Sequence, residues 1–350
     1  MKKLILFLFA LVSLAAEKGF EYQLIRNHSS QIHILRVDPN LFEIQLLPAL
    51  DDGLGVESVG SMCARKGAKA GINGSFFDYD NKFSGLPRWT SKMNGLYYNI
   101  SSNYHPAFGW SKDGKLTLFD HVMGEVFLEA DKKLMRLSGM NGNVEKGKTY
   151  LFTPWFHRTT LTTYKTQEAI IENGAVTKME EKGSNIIPQN GFILASDLGD
   201  NFIPYGSKNL RYKIELIPEK NTGSVGQWNQ VDYVLSSFPM LIRNGKRHAF
   251  NGEGPGDYSL DAFINTIHPR SAVGIRKDGT WIFVVIDGGA ESEIGVTLKE
   301  LADLMEKENC VNAINLDGGG SSTLVIDGKY MNLGDDKARR VGNALLIFPR

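Results

Sequence analysis

The feature that most constrains this chain is a strand–helix–strand run near its C-terminal end. Trp281 to Ile286 is almost wholly apolar, the pattern of a strand covered on both faces. Thr297 with Glu300 three residues on forms a capping box, and Leu298, Leu301, Ala302 and Met305 then share one helical face. Val311 to Leu316 reads as the second strand. If the two strands run parallel, both end in Asp-Gly at one sheet edge, Asp287-Gly288 and Asp317-Gly318. Such an edge is where α/β proteins tend to place chemistry.

Elsewhere strand patterns dominate. Phe42, Ile44 and Leu46 alternate cleanly, Gln31 to Val37 alternates in part, and Lys115 to Phe119 and Gln167 to Ile171 are further candidates. Glu57 to Lys66 reads as a short helix. There is no internal repeat, low-complexity tract or long linker, and 350 residues can bury a substantial core. The expectation is an α+β fold, a mixed β-sheet core with few helices, in one domain over residues 16–350. Asn251 to Tyr258, rich in glycine and proline, reads as a loop placed to act as a lid.

Residues 1–15 resemble a signal peptide. Lys2 and Lys3 precede the apolar run Leu4 to Leu14, and Ser13-Leu14-Ala15 suggests cleavage after Ala15. The run is shorter than the roughly 20 residues a membrane span needs. The expectation is export to the periplasm or beyond the cell. The 39 basic residues balance the 39 acidic ones, so no bulk field recruits nucleic acid or an anionic membrane. Any anion must be met by a few placed cations. The two cysteines, Cys63 and Cys310, fit a disulfide or two buried thiols equally well.

The C-terminal half holds the densest motif, Asn315-Leu316-Asp317-Gly318-Gly319-Gly320-Ser321-Ser322-Thr323. A hairpin turn would account for it without any ligand. Against that, three glycines cost backbone entropy, and what they permit is close approach of N–H groups and the Ser321 and Ser322 hydroxyls to an anion. Other blocks stand in order around it: Ala70 to Phe77 with Asn73 at its centre, Ser237 to Leu241, Asn244-Gly245, His268 to Gly274, Val285 to Gly288, and Arg340 to Leu345. Together these resemble the phosphodiester glycosidases, over most of residues 16–350. The family usually has arginine directly after the strand-end Asp-Gly, whereas Gly289 stands here; Arg276 or Arg243 could substitute.

The resemblance implies a catalytic domain that cleaves the glycosidic bond of a sugar-1-phosphodiester. Asp317 and Asp287 are the candidate carboxylates for the sugar side, with His268 beside them. Arg270 is suited to bidentate contact with phosphate, and Asn73, Gly318, Gly319, Gly320, Ser321, Ser322 and Asn343 are further candidate substrate contacts. No metal-ligand set stands out. A divalent cation, calcium or magnesium, on aspartate oxygens remains open, with Asp78, Asp80 and Asn81 as one possible group. Asp287, Asp317 and Asn73 could instead simply cap turns. Trp89, Tyr97, Tyr98 and Trp155 read as core side chains, any one of which could instead stack on a sugar face. The competing readings are a metal-dependent phosphodiesterase cutting the P–O bond and a non-catalytic saccharide-binding module.

Overall fold

The computed structural model describes residues 12–26, 30–79, 81–130, 133–163, 165–197, 206–219, 223–248, 250, 259–288, 295–332 and 338–350, with backbone alone for 12–16 and 288. The start of the leader, Asp80, the loop Asn251 to Tyr258 and Gly289 therefore lie outside the described residues. The fold is α+β, rich in sheet, with four short α-helices among the described residues.

The sheet that carries the site has eight strands. Their order is Val12–Glu17, Phe20–Arg26, Ser30–Val37, Trp281–Gly288, Arg270–Arg276, Cys310–Asn315, Met240–Arg243 and Lys246–Arg247. The Val12–Glu17 strand, through which the expected cleavage point after Ala15 would pass, pairs antiparallel with Phe20–Arg26 at one edge. Trp281–Gly288 and Cys310–Asn315 do run in one direction, as expected. They do not touch, because Arg270–Arg276 lies between them and pairs antiparallel with both. The strand–helix–strand unit is therefore split by a strand that precedes it in sequence.

Helix α4 (Leu298–Lys307) lies on this sheet, and its capping box forms as read, with Thr297 and Glu300 bonded reciprocally. Leu298, Leu301, Ala302 and Met305 are all buried, against Ile282, Val284 and Ile286. Phe283 and Val285 point to the opposite face and enter the central core. That strand is thus covered on both sides, which explains its unbroken apolar run. Each such aliphatic side chain contributes about 1.5–3 kcal/mol on burial.

The central core is the meeting of three sheets. Ile72 and Leu345 come from a five-stranded sheet ordered Lys329–Tyr330, Leu324–Ile326, Ala70–Asn73, Asn343–Pro349 and Phe42–Pro48. Phe108 and Trp110 come from a third sheet built round the long Thr117–Ala130 strand. Phe42, Ile44 and Leu46 all face inward, as their alternation predicts. A fourth sheet, containing Thr149–Phe152, Gly191–Ser196 and Gln167–Glu172, packs behind the third. Cys63 and Cys310 are free and sit in separate clusters, and burial pushes each thiol up to about 12.

Candidate active site

The Asp-Gly-Gly-Gly run is not a hairpin turn. It leaves Cys310–Asn315 in the first sheet and enters Leu324–Ile326 in the second, crossing the gap between them. Each glycine has a separate reason. A side chain on Gly318 would meet the Pro269 carbonyl at 2.9 Å, Gly319 has φ +58°, and a side chain on Gly320 would meet the Arg339 guanidinium at 2.7 Å. The turn is thus pressed between two other segments while bending left-handed.

What the turn does with its N–H groups departs from the anion cradle its composition suggests. Gly318 N–H donates to Asp317 Oδ1 at 3.0 Å and Gly319 N–H to the Pro269 carbonyl at 2.8 Å. Ser321 and Ser322 N–H groups close the turn on Gly318 and Gly319. Their hydroxyls are buried beneath it and do not line the cavity. Most donors of the run are spent holding its own shape.

Asn73 explains how that shape is fixed. It ends the Ala70–Asn73 strand, fully buried, with Oδ1 accepting from the Ser271 hydroxyl at 2.7 Å and the Thr323 N–H at 3.1 Å. Its Nδ2 donates to the Asp317 carbonyl at 2.6 Å. One amide therefore ties both sheets to the crossing segment, as a strut and not as a turn residue. Asn343, one strand away in the same sheet, is also fully buried and accepts from Ser75 N–H at 2.9 Å, bracing the segment that follows Asn73. Both asparagines, expected to touch substrate, are fully buried and do not line the cavity described next.

In front of the turn lies a cavity of about 370 Å³. It brings together Asp317, Gly318, Gly319, Gly320, His268 and Arg270 from the sequence reading. It adds Phe76, Phe77, Tyr79, Phe263, Arg88 and Arg339, which that reading missed as site residues. Phe76 and Phe77 belong to a motif block, and Arg339 directly precedes another, so proximity to motifs was their one signal. Arg88 had none. Trp89, Tyr97, Tyr98 and Trp155 do not line the cavity. Trp89 stacks on His105 at 4.9 Å between ring centroids, and the Trp155 indole N–H donates to the Tyr97 carbonyl at 2.7 Å.

Asp317 is half-buried at the back of this cavity. Burial pushes its carboxyl up to about 6, against the downward pull of the Ser321 hydroxyl, the Gly318 N–H and the Arg339 and Arg88 guanidiniums. Arg270 is almost wholly buried. Its Nη2 donates to the carbonyls of Thr266 at 2.8 Å and Phe263 at 3.0 Å, and its Nε to Val296 at 3.3 Å. The guanidinium carbon also sits 5.1 Å over the Phe263 ring. Nη1 has no hydrogen-bond partner among the described residues, so a rigidly held fork keeps one free arm at the cavity. Burial lowers its pKa to about 10, which leaves it charged at neutral pH. His268 is shifted down by burial and by Arg270, so its ring is neutral at pH 7.

Asp287 is placed elsewhere. It still belongs to its strand, opposite Gln31, and its side chain is buried with Oδ1 3.7 Å from His33 Nε2. It does not line the cavity. The two arginines proposed to replace a family arginine are also committed away from it. Arg276 pairs with Glu308 at 2.6 Å and Arg243 with buried Asp120 at 2.7 Å, whereas Arg88 and Arg339 supply the extra positive charge. Of the suggested acidic group, Asp78 pairs with Arg88 at 3.7 Å and the Asn81 side chain accepts from Phe83 N–H. With one carboxylate facing three guanidiniums, the cavity lining does not fit a divalent cation. Asp120, His121 and Glu219 form a grouping with metal-ligand spacing, but none of them lines the cavity.

Comparison with known proteins assigns the chain to a family. The phosphodiester glycosidase family matches residues 165–348, just over half of the chain. A SPbeta prophage-derived protein of Bacillus subtilis, YomE, is 41% identical over 87 residues, covering 25% of this chain and 14% of that protein. The N-acetylglucosamine-1-phosphodiester alpha-N-acetylglucosaminidase of Bos taurus is 37% identical over 109 residues, covering 29% of this chain and 20% of its own length. The matched segments thus span a small part of those relatives. A crystal structure of a Synechocystis protein superposes with a TM-score of 0.81 at 20% identity, over 97% of this chain and 64% of that one, and shares the fold. The chain belongs to the phosphodiester glycosidase family.

Proposed function

We propose that this protein is an exported hydrolase that cleaves the glycosidic bond of a sugar-1-phosphodiester, releasing free sugar and a phosphomonoester. The observation that carries the reading is one half-buried carboxylate, Asp317, facing Arg88, Arg270 and Arg339 across a single cavity. A phosphodiester carries one negative charge and leaves as a monoester carrying about two, so charge grows on phosphate as the bond breaks. Preplaced guanidiniums stabilise that growth more than they stabilise the ground state. Little general-acid help is then needed, and the neutral His268 ring serves as a hydrogen-bond partner at the phosphate side.

On the sugar side the transition state is oxocarbenium-like, and the Asp317 carboxylate stabilises it as nucleophile or as base for water. Water adds to the anomeric carbon, the C–O bond to phosphate breaks, and its electron pair leaves with the phosphate. Tyr79 and Phe76 give the sugar apolar faces. Export is supported by the Lys2-Lys3 pair and the apolar run after it, and among the described residues no helix is long and apolar enough to cross a membrane.

Hydrolysis in heavy-oxygen water, with mass spectrometry of both products, tests the bond assignment. Label in the sugar is expected. Label in the phosphate would mean attack at phosphorus and would favour the phosphodiesterase reading, and ligand binding without turnover would favour the binding module. A parallel assay with chelator decides the metal question.

A further inference from the structure

One cluster of ligand-type side chains has no part in the cavity. Asp120 and His121 stand on the long Thr117–Ala130 strand, and Glu219 directly follows the Arg211–Pro218 strand that pairs with it. The Glu219 N–H donates to the His121 carbonyl at 2.8 Å, which fixes the two segments side by side. One donor atom from each of the three residues lies within 4.8 Å of the other two. His121 Nδ1 is buried without a hydrogen-bond partner among the described residues, and it stands 3.7 Å from Glu219 Oε2. That gap is too long for a hydrogen bond. It is close to the separation of about 3.3 Å between two donors on one tetrahedral zinc, which follows from bonds of about 2.0–2.1 Å.

A buried ring nitrogen left facing a carboxylate needs an explanation, and the charges around it supply one. Arg243 Nη2 and the His121 backbone N–H both donate to Asp120 Oδ1 at 2.7 Å, so that carboxylate is held in one orientation. Carboxylates that ligate a metal are braced by hydrogen bonds in this way. The one guanidinium offsets one of the two carboxylates, which leaves a negative charge for a cation to balance. A second imidazole, His248, lies beside the first with ring centroids 5.2 Å apart. Two imidazoles on one tetrahedral zinc would sit about 5 Å apart. We propose that Asp120, His121 and Glu219 form a site, distinct from the cavity, for one divalent transition ion of the zinc class, with His248 as the adjoining donor. Imidazole together with carboxylates suits zinc better than calcium or magnesium. Arg243 ends the Met240–Arg243 strand and His248 follows Lys246–Arg247, the edge of the eight-stranded sheet. The ion therefore fastens the sheet of Thr117–Ala130 to the sheet that carries the active site. Its role is structural, since none of its ligands lines the cavity.

The test uses untagged protein, stripped with chelator and dialysed, then titrated with zinc chloride by calorimetry while thermal unfolding is followed in parallel. One equivalent is expected to bind and to raise Tm by about 3 °C or more at a hundredfold excess of zinc over Kd. Glu219→Gln and His121→Asn should each weaken binding about tenfold or more and abolish most of the Tm shift. Glu219 is exposed, so Glu219→Gln keeps the fold and carries the test even if His121→Asn is unstable. Absence of zinc binding, or binding of equal strength in wild type and Glu219→Gln, would overturn the site. Calcium raising Tm as much as zinc would overturn the assigned ion class. Turnover at a temperature where the stripped protein stays folded should not respond to zinc or chelator, and a loss on stripping would overturn the structural role. The binding and unfolding arms hold whether or not the glycosidase reading does.

Discussion

Asp287 and Asp317 stand in the same local sequence, an apolar strand ending in Asp-Gly, and the two strands run in one direction within one sheet. Their environments are nevertheless opposite. Asp317 lies two residues past the end of its strand, where the chain has begun to cross between sheets, and its carboxyl meets a cavity with three guanidiniums. Asp287 still belongs to its strand, and its side chain is buried beside His33, whose Nδ1 lies 2.8 Å from the Tyr22 hydroxyl. Burial and the Asp287 charge push that phenol up to about 12. The difference teaches that one strand-end motif reaches a cavity or stays buried according to whether the strand stops pairing before the acid.

The largest effect should separate the two aspartates. Asp317→Asn is expected to lower turnover at least about 10²-fold, as for a group acting in the transition state. It should also stabilise the fold at neutral pH. Because folding raises this carboxyl from 3.8 to about 6, its cost is absent below pH 4, grows between the two values and is complete above pH 6. That cost is up to about 3 kcal/mol, so thermal unfolding at pH 8 should shift upward in the variant and at pH 4 should not. Equal loss of turnover in Asp287→Asn would erase the distinction.

Next comes pH. If the ionised Asp317 does the work, kcat/KM should climb as pH rises through about 6 and level off above it. A flat profile between pH 5 and 7 would remove Asp317 from the chemistry.

Arg270→Lys should cost about tenfold or more on phosphodiesters and far less on an aryl glycoside of the same sugar. A point charge cannot hold the Phe263, Thr266 and Val296 carbonyls while reaching phosphate. Some stability should also be lost, since the buried hydrogen bond to the Phe263 carbonyl goes, at a cost of about 1 kcal/mol or more. Equal loss on both substrates would place Arg270 in a purely structural role.

The smallest effect belongs to the core cluster. Asp287→Asn should reduce turnover by less than about tenfold. Tyr22→Phe should leave it unchanged while lowering stability by about 1 kcal/mol, the net worth of one buried hydrogen bond. A kinetic phenotype for Tyr22→Phe would tie this cluster to the reaction and sharpen the comparison in the other direction.

Much of the fold was legible because local patterns agreed with it. The capped helix α4, the alternating Phe42–Pro48 strand and the doubly covered Trp281–Gly288 strand each carry a period that one environment alone satisfies. The order of motif blocks pointed to the right family and to Asp317, His268, Arg270 and the glycines. The roles of Asn73 and Asn343 were not legible. An asparagine beside glycine looks the same whether it turns the chain, touches a ligand or braces three segments, as Asn73 does through Ser271, Thr323 and Asp317.

By itself the sequence determined the most strongly patterned elements, the family and the presence of an acidic, glycine-rich run at residues 317–320. Only the tertiary structure decided which aspartate faces the cavity and which arginines surround it. Periodicity is a property of neighbours in the chain, whereas the charge balance of a cavity sums groups brought together from distant segments. Arg88, Arg270 and Arg339 surround Asp317 only because the sheets close on one another there.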